Sequence, residues 1–206
     1  MRRNYIGLII ALISFIPTFA QTNLTPSQIL SKAVSAISQS KGVEASFTVT
    51  NSGFTGRGTI KTSGLRYHVS MPDVEVWFNG KDLYTYSKRT DETTIVTPTE
   101  DEIQESNPLA YVTGAQKNYN VSFSTVKKTG KYVLELLPKN KNNSIKRITL
   151  TLNKSNYTPE KIVVEPTNGN PISSEITSFK TGVNWPLSSF EYPKSKYPKV
   201  EVVDLR

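Results

Sequence analysis

The chain has few of the side chains that carry out catalysis. It contains a single histidine, His68, and no cysteine. Covalent catalysis needs a Ser or Cys nucleophile held beside a base, and no Gly-x-Ser-x-Gly turn accompanies His68. His68 falls on the more polar side of its predicted strand, which is typical of an ordinary surface residue. The sequence therefore predicts that the protein is not an enzyme, and it offers no catalytic residues.

Acidic residues are grouped at Asp101, Glu102 and Glu105. The group could supply paired carboxylates for acid–base work, but it also describes the solvated first turn of a short helix, where negative charge is favourable. A zinc site normally needs three or four His, Cys or carboxylate ligands, and the sequence has no such cluster. It also lacks a phosphate loop and the dinucleotide-binding glycine motif. We therefore expect no metal and no cofactor.

The remaining candidate for a binding function is the segment from Leu65 to Tyr86, which alternates apolar and polar residues. Asn79-Gly80 between two apolar-rich runs predicts a two-residue hairpin turn, because both residues tolerate positive φ. Pro72-Asp73 is expected to form a second two-residue loop. The predicted cross-strand pairs are Phe78 with Lys81, Val76 with Leu83, Trp77 with Asp82, Met71 with Val74 and Val69 with Val76.

This alternation predicts three antiparallel strands with one dry face and one wetter face. The predicted dry face carries Leu65, Tyr67, Val69, Met71, Val74, Val76, Phe78 and Leu83. The predicted wetter face carries Arg66, His68, Ser70, Glu75, Trp77, Asp82 and Tyr84. Periodicity alone favours an ordinary filled core behind the dry face. Trp77 and Tyr84, the obvious residues to stack on a ligand, fall on the opposite face.

The rest of the chain alternates between strands and short turns. Thr25-Pro26-Ser27-Gln28 has the features of a helix start, and apolar residues at helical spacing follow it as far as Ile37. About eleven strands are expected, and the predicted ranges after the segment above are 93–97, 119–126, 131–137, 145–152, 159–165 and 171–179. The one long interruption, residues 98–117, has helical character in two pieces divided at Asn107-Pro108. Larger curved sheets tend to enclose ligand space, so this number of strands favours a cavity.

The N-terminus and the charge suggest an exported protein. Residues 1–20 have a basic start, an apolar stretch and small residues before a cleavage site after Ala20, as in a secretory signal peptide. Residues 21–206 then form the predicted single domain. Removing Arg2 and Arg3 lowers the formal charge from +8 to +6. The basic residues are scattered and not grouped with aromatic ones, so nucleic-acid binding is not expected.

Several short motifs, in this order, resemble the outer-membrane lipoprotein carriers, the LolA-like proteins. An amphipathic helix precedes Ala45-Ser46-Phe47 and Gly58-Thr59-Ile60. Residues 78–96, FNGKDLYTYSKRTDETTIV, resemble the family's central hairpin, and Asn107 to Val112 resembles its Pro-led apolar lid helix. One departure stands out: the family's Arg-Pro pair after the second strand is replaced by Lys61-Thr62-Ser63-Gly64.

The resemblance implies a mainly β (α+β), LolA/LppX-like fold, an incomplete antiparallel β-barrel of about eleven strands with an α-helical lid over an apolar cavity. It implies a monomeric periplasmic carrier and chaperone that takes triacylated lipoproteins from an inner-membrane lipoprotein-releasing transporter to an outer-membrane acceptor. Each predicted cavity residue can also be read as plain core. The residues expected to bind acyl chains are Phe47, Val49, Ile60, Leu65, Tyr67, Val69, Met71, Val76, Phe78, Leu83, Leu109 and Val112.

A second hypothesis uses the same scaffold differently. The chain could be an envelope sensor or interaction module, like the regulators that bind an anti-sigma partner. Such regulators usually carry an additional domain, and the 186 residues that follow the predicted cleavage site leave little room for one. The absence of a nucleophile–base pair disfavours a third hypothesis, a hydrolase.

Overall fold

The computed structural model describes residues 23–140 and 143–206. The predicted signal peptide, residues 1–20, and its cleavage site lie outside the described residues. Across the described ranges, none of the helices has both the length and the apolar character needed to cross a membrane.

The described residues are mostly strands, with a few helices. The helices are α1 (Pro26–Ser38), α2 (Glu100–Ser106), α3 (Ala110–Thr113) and α4 (Ala115–Asn118). The strands are β1 (Val43–Asn51), β2 (Phe54–Ser63), β3 (Arg66–Ser70), β4 (Val74–Phe78), β5 (Leu83–Ser87), β6 (Glu92–Val96), β7 (Tyr119–Phe123), β8 (Lys131–Pro138), β9 (Ile145–Asn153), β10 (Pro159–Pro166), β11 (Ile172–Thr181) and β12 (Glu201–Asp204).

All these strands belong to one sheet in the order β12-β6-β5-β4-β3-β2-β1-β11-β10-β9-β8-β7. Neighbouring strands are antiparallel except for β12, which runs parallel to β6. The sheet does not close, because β7 and β12 remain as its two edges. The predicted incomplete barrel is confirmed, with one strand more than the eleven expected.

The pairing of β1 with β11 joins the two halves of the chain. β1 to β6 form one continuous meander, and β7 to β11 form another. Val43 pairs with Thr181 and Val49 with Ser174, with a register shift after Ser46. This long-range contact brings the inward side chains of both meanders onto one concave face.

Helix α1 forms where the sequence predicts it. Thr25 and Gln28 make both hydrogen bonds of a capping box, and Pro26 occupies the first turn. The helix packs against α3, α4 and β7. Its apolar stripe is buried in the main core, with Ile29 and Leu30 fully inaccessible. The helix therefore covers part of the inner face near the β7 edge.

The Asn79-Gly80 hairpin has a longer loop than predicted. Phe78 pairs with Leu83 across a four-residue loop, and the Oδ1 of Asn79 accepts the backbone N–H groups of Lys81 and Asp82. The predicted pairs Phe78–Lys81, Val76–Leu83 and Trp77–Asp82 are therefore wrong; the observed pairs are Phe78–Leu83, Val76–Thr85 and Trp77–Tyr84. The shift is by two residues, so each side chain keeps its predicted face. The Pro72-Asp73 loop is confirmed: Val69 pairs with Val76, and Met71 bonds to Val74.

Two further segments have local explanations. The Gly-rich residues before Thr59 form the first half of β2, because Gly53, with φ 80°, already turns the chain after β1. Between β11 and β12 the chain forms two 3-10 turns, Leu187–Phe190 and Lys194–Lys196. Prolines 193 and 198 remove backbone donors there, which disfavours strand pairing.

The predicted wetter face is largely covered by the C-terminal segment. Trp77 is only 4% exposed, since Tyr192 and Tyr197 pack edge-on against its ring and His68 stacks on it. At the chain end, the guanidinium of Arg206 donates to the carboxylate of buried Asp82 at 2.9 Å. The outer surface of β3 to β5 is thus a second, aromatic packing layer.

Replacing Trp77 by alanine is expected to destabilise the protein by about 3–5 kcal/mol, because a buried aromatic ring with three aromatic neighbours is lost. The comparison variant is Leu65→Ala, for which a change within about 0.5 kcal/mol is expected because Leu65 is 80% exposed. Denaturant unfolding measures both. Equal losses of stability in the two variants would contradict the assignment of Trp77 as buried and Leu65 as exposed.

Candidate functional site

A cavity of about 550 Å³ lies between the inner face of the sheet and the segment formed by α2 and α3. Its volume falls within the range of about 300–1,000 Å³ that is common for ligand pockets. The sheet contributes apolar side chains from β1, β3, β9, β10 and β11. The helical segment contributes mainly polar ones, together with Pro108 and Tyr111. The space is therefore apolar on one side and polar on the other.

Only some of the predicted ligand-binding residues reach this cavity. The four that line it are Phe47, Val49, Val69 and Met71. Seven others are buried in the packed core and do not line it: Ile60, Tyr67, Val76, Phe78, Leu83, Leu109 and Val112. For these seven, the plain core interpretation describes their position in the structure.

Leu65 is placed wrongly by the sequence. Ser63 pairs with Arg66, so Gly64 and Leu65 form a two-residue hairpin loop, with Gly64 at φ 59°. Leu65 is 80% exposed and does not line the cavity. Strand β3 begins at Arg66, so the alternation of inward and outward side chains does not extend back to Leu65.

The wall that β9 to β11 provide was not predicted from the sequence. Ile145, Ile162, Val164 and Ile172 line the cavity together with the four predicted residues. Alternation in residues 159–165 marks Ile162 and Val164 as inward-facing, and that signal was available. The alternation of residues does not show that β1 pairs with β11. That pairing places this wall beside Phe47 and Val49.

Close packing near the cavity depends on Gly58. A Cβ added there would lie 2.7 Å from the ring of Phe47 and 2.8 Å from the side chain of Met71. Both of those side chains line the cavity. Glycine at this position therefore lets two large side chains pack over the inner surface of β2.

The predicted break at Asn107-Pro108 is confirmed, but the part after it forms two short helices, α3 and α4, instead of one piece. Thr99 and Glu102 form a capping box at the start of α2, and hydrogen bonds from Thr99 hold the pKa of Glu102 below its usual value. Asn107 ends the helix, and its side chain accepts the backbone N–H of Leu109. Pro108 cannot continue a helical hydrogen-bond pattern, so α3 starts in a new direction.

A side-chain hydrogen bond joins β3 to α2. The hydroxyl of Tyr67, on β3, lies 2.6 Å from the Oγ of Ser106, at the end of α2. Ser106 also lies 2.7 Å from the backbone carbonyl of Glu102, which can only accept. Ser106 therefore donates to that carbonyl and accepts from Tyr67. Burial raises the pKa of Tyr67 to about 12.

The stretch that stands in place of the expected Arg-Pro pair, Lys61-Thr62-Ser63-Gly64, makes its contacts with other parts of the molecule. The ammonium of Lys61 lies over the ring of Trp185, 4.6 Å from its centroid. Thr62 is buried, and the hydroxyl of Ser63 donates to the carbonyl of Lys41. In the described ranges, the side-chain bond between β3 and α2 is the Tyr67–Ser106 contact.

The helical side of the cavity is negatively charged. Asp101 and Glu105 line it and are exposed, and neither takes part in an ion pair within the described ranges. Burial raises the pKa of Tyr111, which also lines the cavity, to about 12, and the charges of Glu105 and Asp101 add to the rise. The described lining residues include no Lys, Arg or His.

His68 has a structural environment on the outer face. Its Nε2 lies 2.7 Å from Oε2 of Glu75. The other carboxylate oxygen of Glu75, Oε1, accepts a hydrogen bond from Ser70. Burial favours a higher pKa for Glu75, but the contacts with His68, Ser70 and Lys88 bring that pKa below its usual value. No group of three or more potential metal ligands is found in the described part of the chain. His68 thus has a hydrogen-bonded position on the outer face and does not line the cavity.

Comparisons with known proteins bear on the fold and the family. A family model described as "Outer membrane lipoprotein carrier protein LolA" matches residues 16–168. No curated protein matches the chain.

Several solved structures are similar. An uncharacterized conserved protein from Thermus thermophilus is 13% identical with a TM-score of 0.59, and the match covers 86% of this chain and 98% of that one. A LolA superfamily protein from Nitrosomonas europaea is 14% identical with a TM-score of 0.43, covering 82% and 99%. The MucA/MucB complex of Pseudomonas aeruginosa gives 13% identity and a TM-score of 0.46, covering 81% and 60%. At such low identities these likenesses concern the fold alone.

Replacing Tyr67 by phenylalanine is expected to loosen α2 and to reduce stability by about 0.5–1.5 kcal/mol, because the bond to Ser106 is lost while the ring remains. Hydrogen exchange should show faster exchange at the amides of α2, with little change in β8 and β9. Tyr84→Phe is the control, since the Tyr84 ring stacks on Tyr192 away from the helices. Equal effects of the two variants would show that the Tyr67 bond does not hold the segment.

Stability should fall as the pH rises from about 10 to about 12. Tyr67 has a pKa of about 12 when folded, against a usual value of 10.0, so the folded state holds this proton more tightly. Its contribution is complete below pH 10 and is lost as the pH rises through the folded pKa. Denaturant unfolding at a series of pH values should show a smaller decline in Tyr67→Phe than in the parent protein. A decline of the same size would contradict this linkage.

Proposed function

This chain belongs to the outer membrane lipoprotein carrier family, LolA, and we propose that it is a periplasmic carrier that binds the acyl chains of lipoproteins in the cavity beneath α2 and α3. The observation that supports this most directly is the cavity itself. Its sheet side is formed by apolar residues such as Phe47, Val69 and Ile162, and it adjoins a segment of short helices. This arrangement suits a flexible apolar chain better than a small polar substrate.

The energetics of such a carrier require both binding and release. Burying hydrocarbon contributes about 0.8 kcal/mol per CH₂ group, so long acyl chains gain many kcal/mol on leaving water. A cover that opens at little cost allows those chains to enter and leave. α2 and α3 are only seven and four residues long, and a single side-chain hydrogen bond, from Tyr67 to Ser106, joins α2 to β3 in the described ranges. We assign to this bond the restraint that keeps α2 over the cavity.

The proposed cargo and route follow from the family. The carrier takes triacylated lipoproteins from an inner-membrane lipoprotein-releasing transporter and delivers them to an outer-membrane acceptor. It works as an exported monomer, with a signal peptide cleaved after Ala20, and it has no enzymatic step. The net positive charge of the sequence suits work close to anionic membrane surfaces.

Lipid bound by the protein tests the proposal. Protein purified from periplasm should release long-chain lipid or lipopeptide on solvent extraction, as measured by mass spectrometry. Val49→Trp should reduce the amount severalfold, because the larger side chain fills cavity space next to Ser174, its cross-strand neighbour on the cavity wall. Thr50→Trp is the matched control, since the neighbouring Thr50 is exposed and does not line the cavity.

The outcomes separate the two hypotheses for this scaffold. Lipid that is present in the parent and in Thr50→Trp, but reduced in Val49→Trp at unchanged stability, supports the carrier. A lipid-free protein that captures a membrane-anchored signalling protein would instead favour a sensor or interaction module. Equal loss of lipid in both variants would contradict cargo binding at this cavity.

A further inference from the structure

We propose that the free edge of the sheet at β7 binds an extended, acidic peptide segment of a partner protein by strand addition. This interaction goes beyond the proposed function, because it uses the backbone of β7 and not the cavity. In strand addition, an extended peptide pairs with an exposed sheet edge through main-chain hydrogen bonds, and its side chains supply the specificity.

The register of β7 shows which of its backbone groups face the edge. β7 lies at one end of the sheet and pairs with β8. The N–H of Ser124, directly after β7, donates to the carbonyl of Val133 at 2.9 Å and continues the register of the two strands. Because residues that bond to the partner alternate along an antiparallel strand, the even-numbered residues of β7 bond to β8. The N–H and C=O groups of Val121 and Phe123 therefore point away from β8.

These backbone groups are available to a new strand. In the described part of the chain, no hydrogen bond is made by the N–H or C=O of Val121 or Phe123. The N–H of Tyr119, by contrast, donates to the carbonyl of Ala115 in α4. An added strand would thus meet a donor and an acceptor on each of two alternate residues, which is the spacing that a β-strand itself presents.

β7 lacks several of the features that protect sheet edges. Its sequence, YNVSF, contains no proline and no lysine, and no register shift interrupts its pairing with β8. Phe123 is 51% exposed and Val126, three residues later, is 55% exposed, so apolar surface accompanies the edge. The opposite edge, β12, instead carries Glu201 and Asp204 within four residues. An acidic peptide is therefore expected at β7 and not at β12.

A pocket of about 420 Å³ adjoins the same strand. Ser27 and Leu30 of α1 line it together with residues 119–121 of β7. The side chain of Val121 packs against the main core but is only partly buried. The pocket provides room for a side chain of the added strand next to the backbone groups of Val121.

The charge around β7 favours an acidic partner. Lys127 and Lys128 follow the strand, are exposed, and take part in no ion pair within the described ranges. Lys139, beside the start of β7, donates to the backbone carbonyls of Gln116 and Lys117. Positive charge thus lies near both ends of the edge. It would attract acidic residues at the ends of an added strand, whereas a second copy of this chain would bring lysines to lysines.

A labelled peptide tests this assignment. The peptide has five alternating Val and Thr residues with two Asp residues at each end, and its binding to the purified protein at low salt is followed by fluorescence anisotropy. We expect it to bind about three- to tenfold more tightly than the same peptide with Lys in place of Asp. The acidic peptide with methyl groups on its five central backbone nitrogens should bind at least about tenfold more weakly, because its hydrogen bonds to the edge are blocked.

Val121→Pro locates the site. Proline removes the N–H that faces the edge, while the hydrogen bonds of Asn120 and Ser122 with β8 can remain, as is typical of proline in an edge strand. The affinity for the acidic peptide should fall about tenfold. Val121→Ala is the matched control, since it removes the same side chain and keeps the N–H, and its affinity should stay within about twofold of the parent.

Charge variants test the chemistry of the partner without changing the strand. Lys127→Glu combined with Lys128→Glu should abolish the preference for the acidic peptide over the basic one. The control is Lys81→Glu combined with Lys199→Glu, which changes the net charge equally at two exposed positions outside β7 and β8. This control should keep the preference, and high salt should reduce the preference in the parent protein.

The outcomes separate this inference from the carrier proposal. Val121 does not line the cavity, so Val121→Pro should retain the lipid content of the parent. A protein that holds no lipid but binds the acidic peptide as expected would contradict the carrier and support the edge site.

Three results would overturn strand addition of an acidic partner at β7. The first is equal binding of the acidic, basic and N-methylated peptides. The second is an unchanged affinity in Val121→Pro. The third is a parent protein that light scattering shows to be a dimer and that becomes a monomer in Val121→Pro, since the edge would then belong to a second copy of the chain.

Discussion

The twelve-stranded sheet curls without closing, so part of its apolar inner face has to be covered by helices instead of strands. Helix α1 packs tightly near the β7 edge, and its buried residues join the main core. The segment of α2 and α3 leaves a cavity of about 550 Å³ between itself and the sheet. Because the sheet does not close, helices cover its inner face: α1 completes the core, and α2 and α3 enclose the cavity.

The two faces of the sheet are stabilised in different ways. The inner face is aliphatic around the cavity, and the outer face of β3 to β5 is covered by aromatic rings from the C-terminal segment. Because β12 pairs with β6 and Arg206 reaches Asp82, the end of the chain is anchored to an edge of the sheet. This outer layer packs against the face of the sheet opposite the cavity.

Much of the fold could be predicted from local sequence because it depends on local rules. The capping boxes at Thr25 and Thr99, the break at Asn107-Pro108 and the alternation of most strands require only neighbouring residues. The pairing predicted across Asn79-Gly80 was wrong by two residues. A shift of two residues keeps every side chain on its predicted face of the sheet. Trp77 and Leu65 were misjudged for a different reason. Alternation does not reveal that distant tyrosines cover one residue or that a hairpin loop exposes the other.

Residue types and their spacing along the chain account for most of the strands and their inward faces, the break at Asn107-Pro108 and the resemblance to the carrier family. Which inward residues line the cavity and which are packed depends on contacts between distant parts of the chain. Phe47 and Val69 face open space while Ile60 and Phe78 do not, although all four obey the same alternation. The difference arises where the β1–β11 pairing and the α2 segment bring together residues that are far apart along the chain. Side-chain alternation has no information about contacts at that distance.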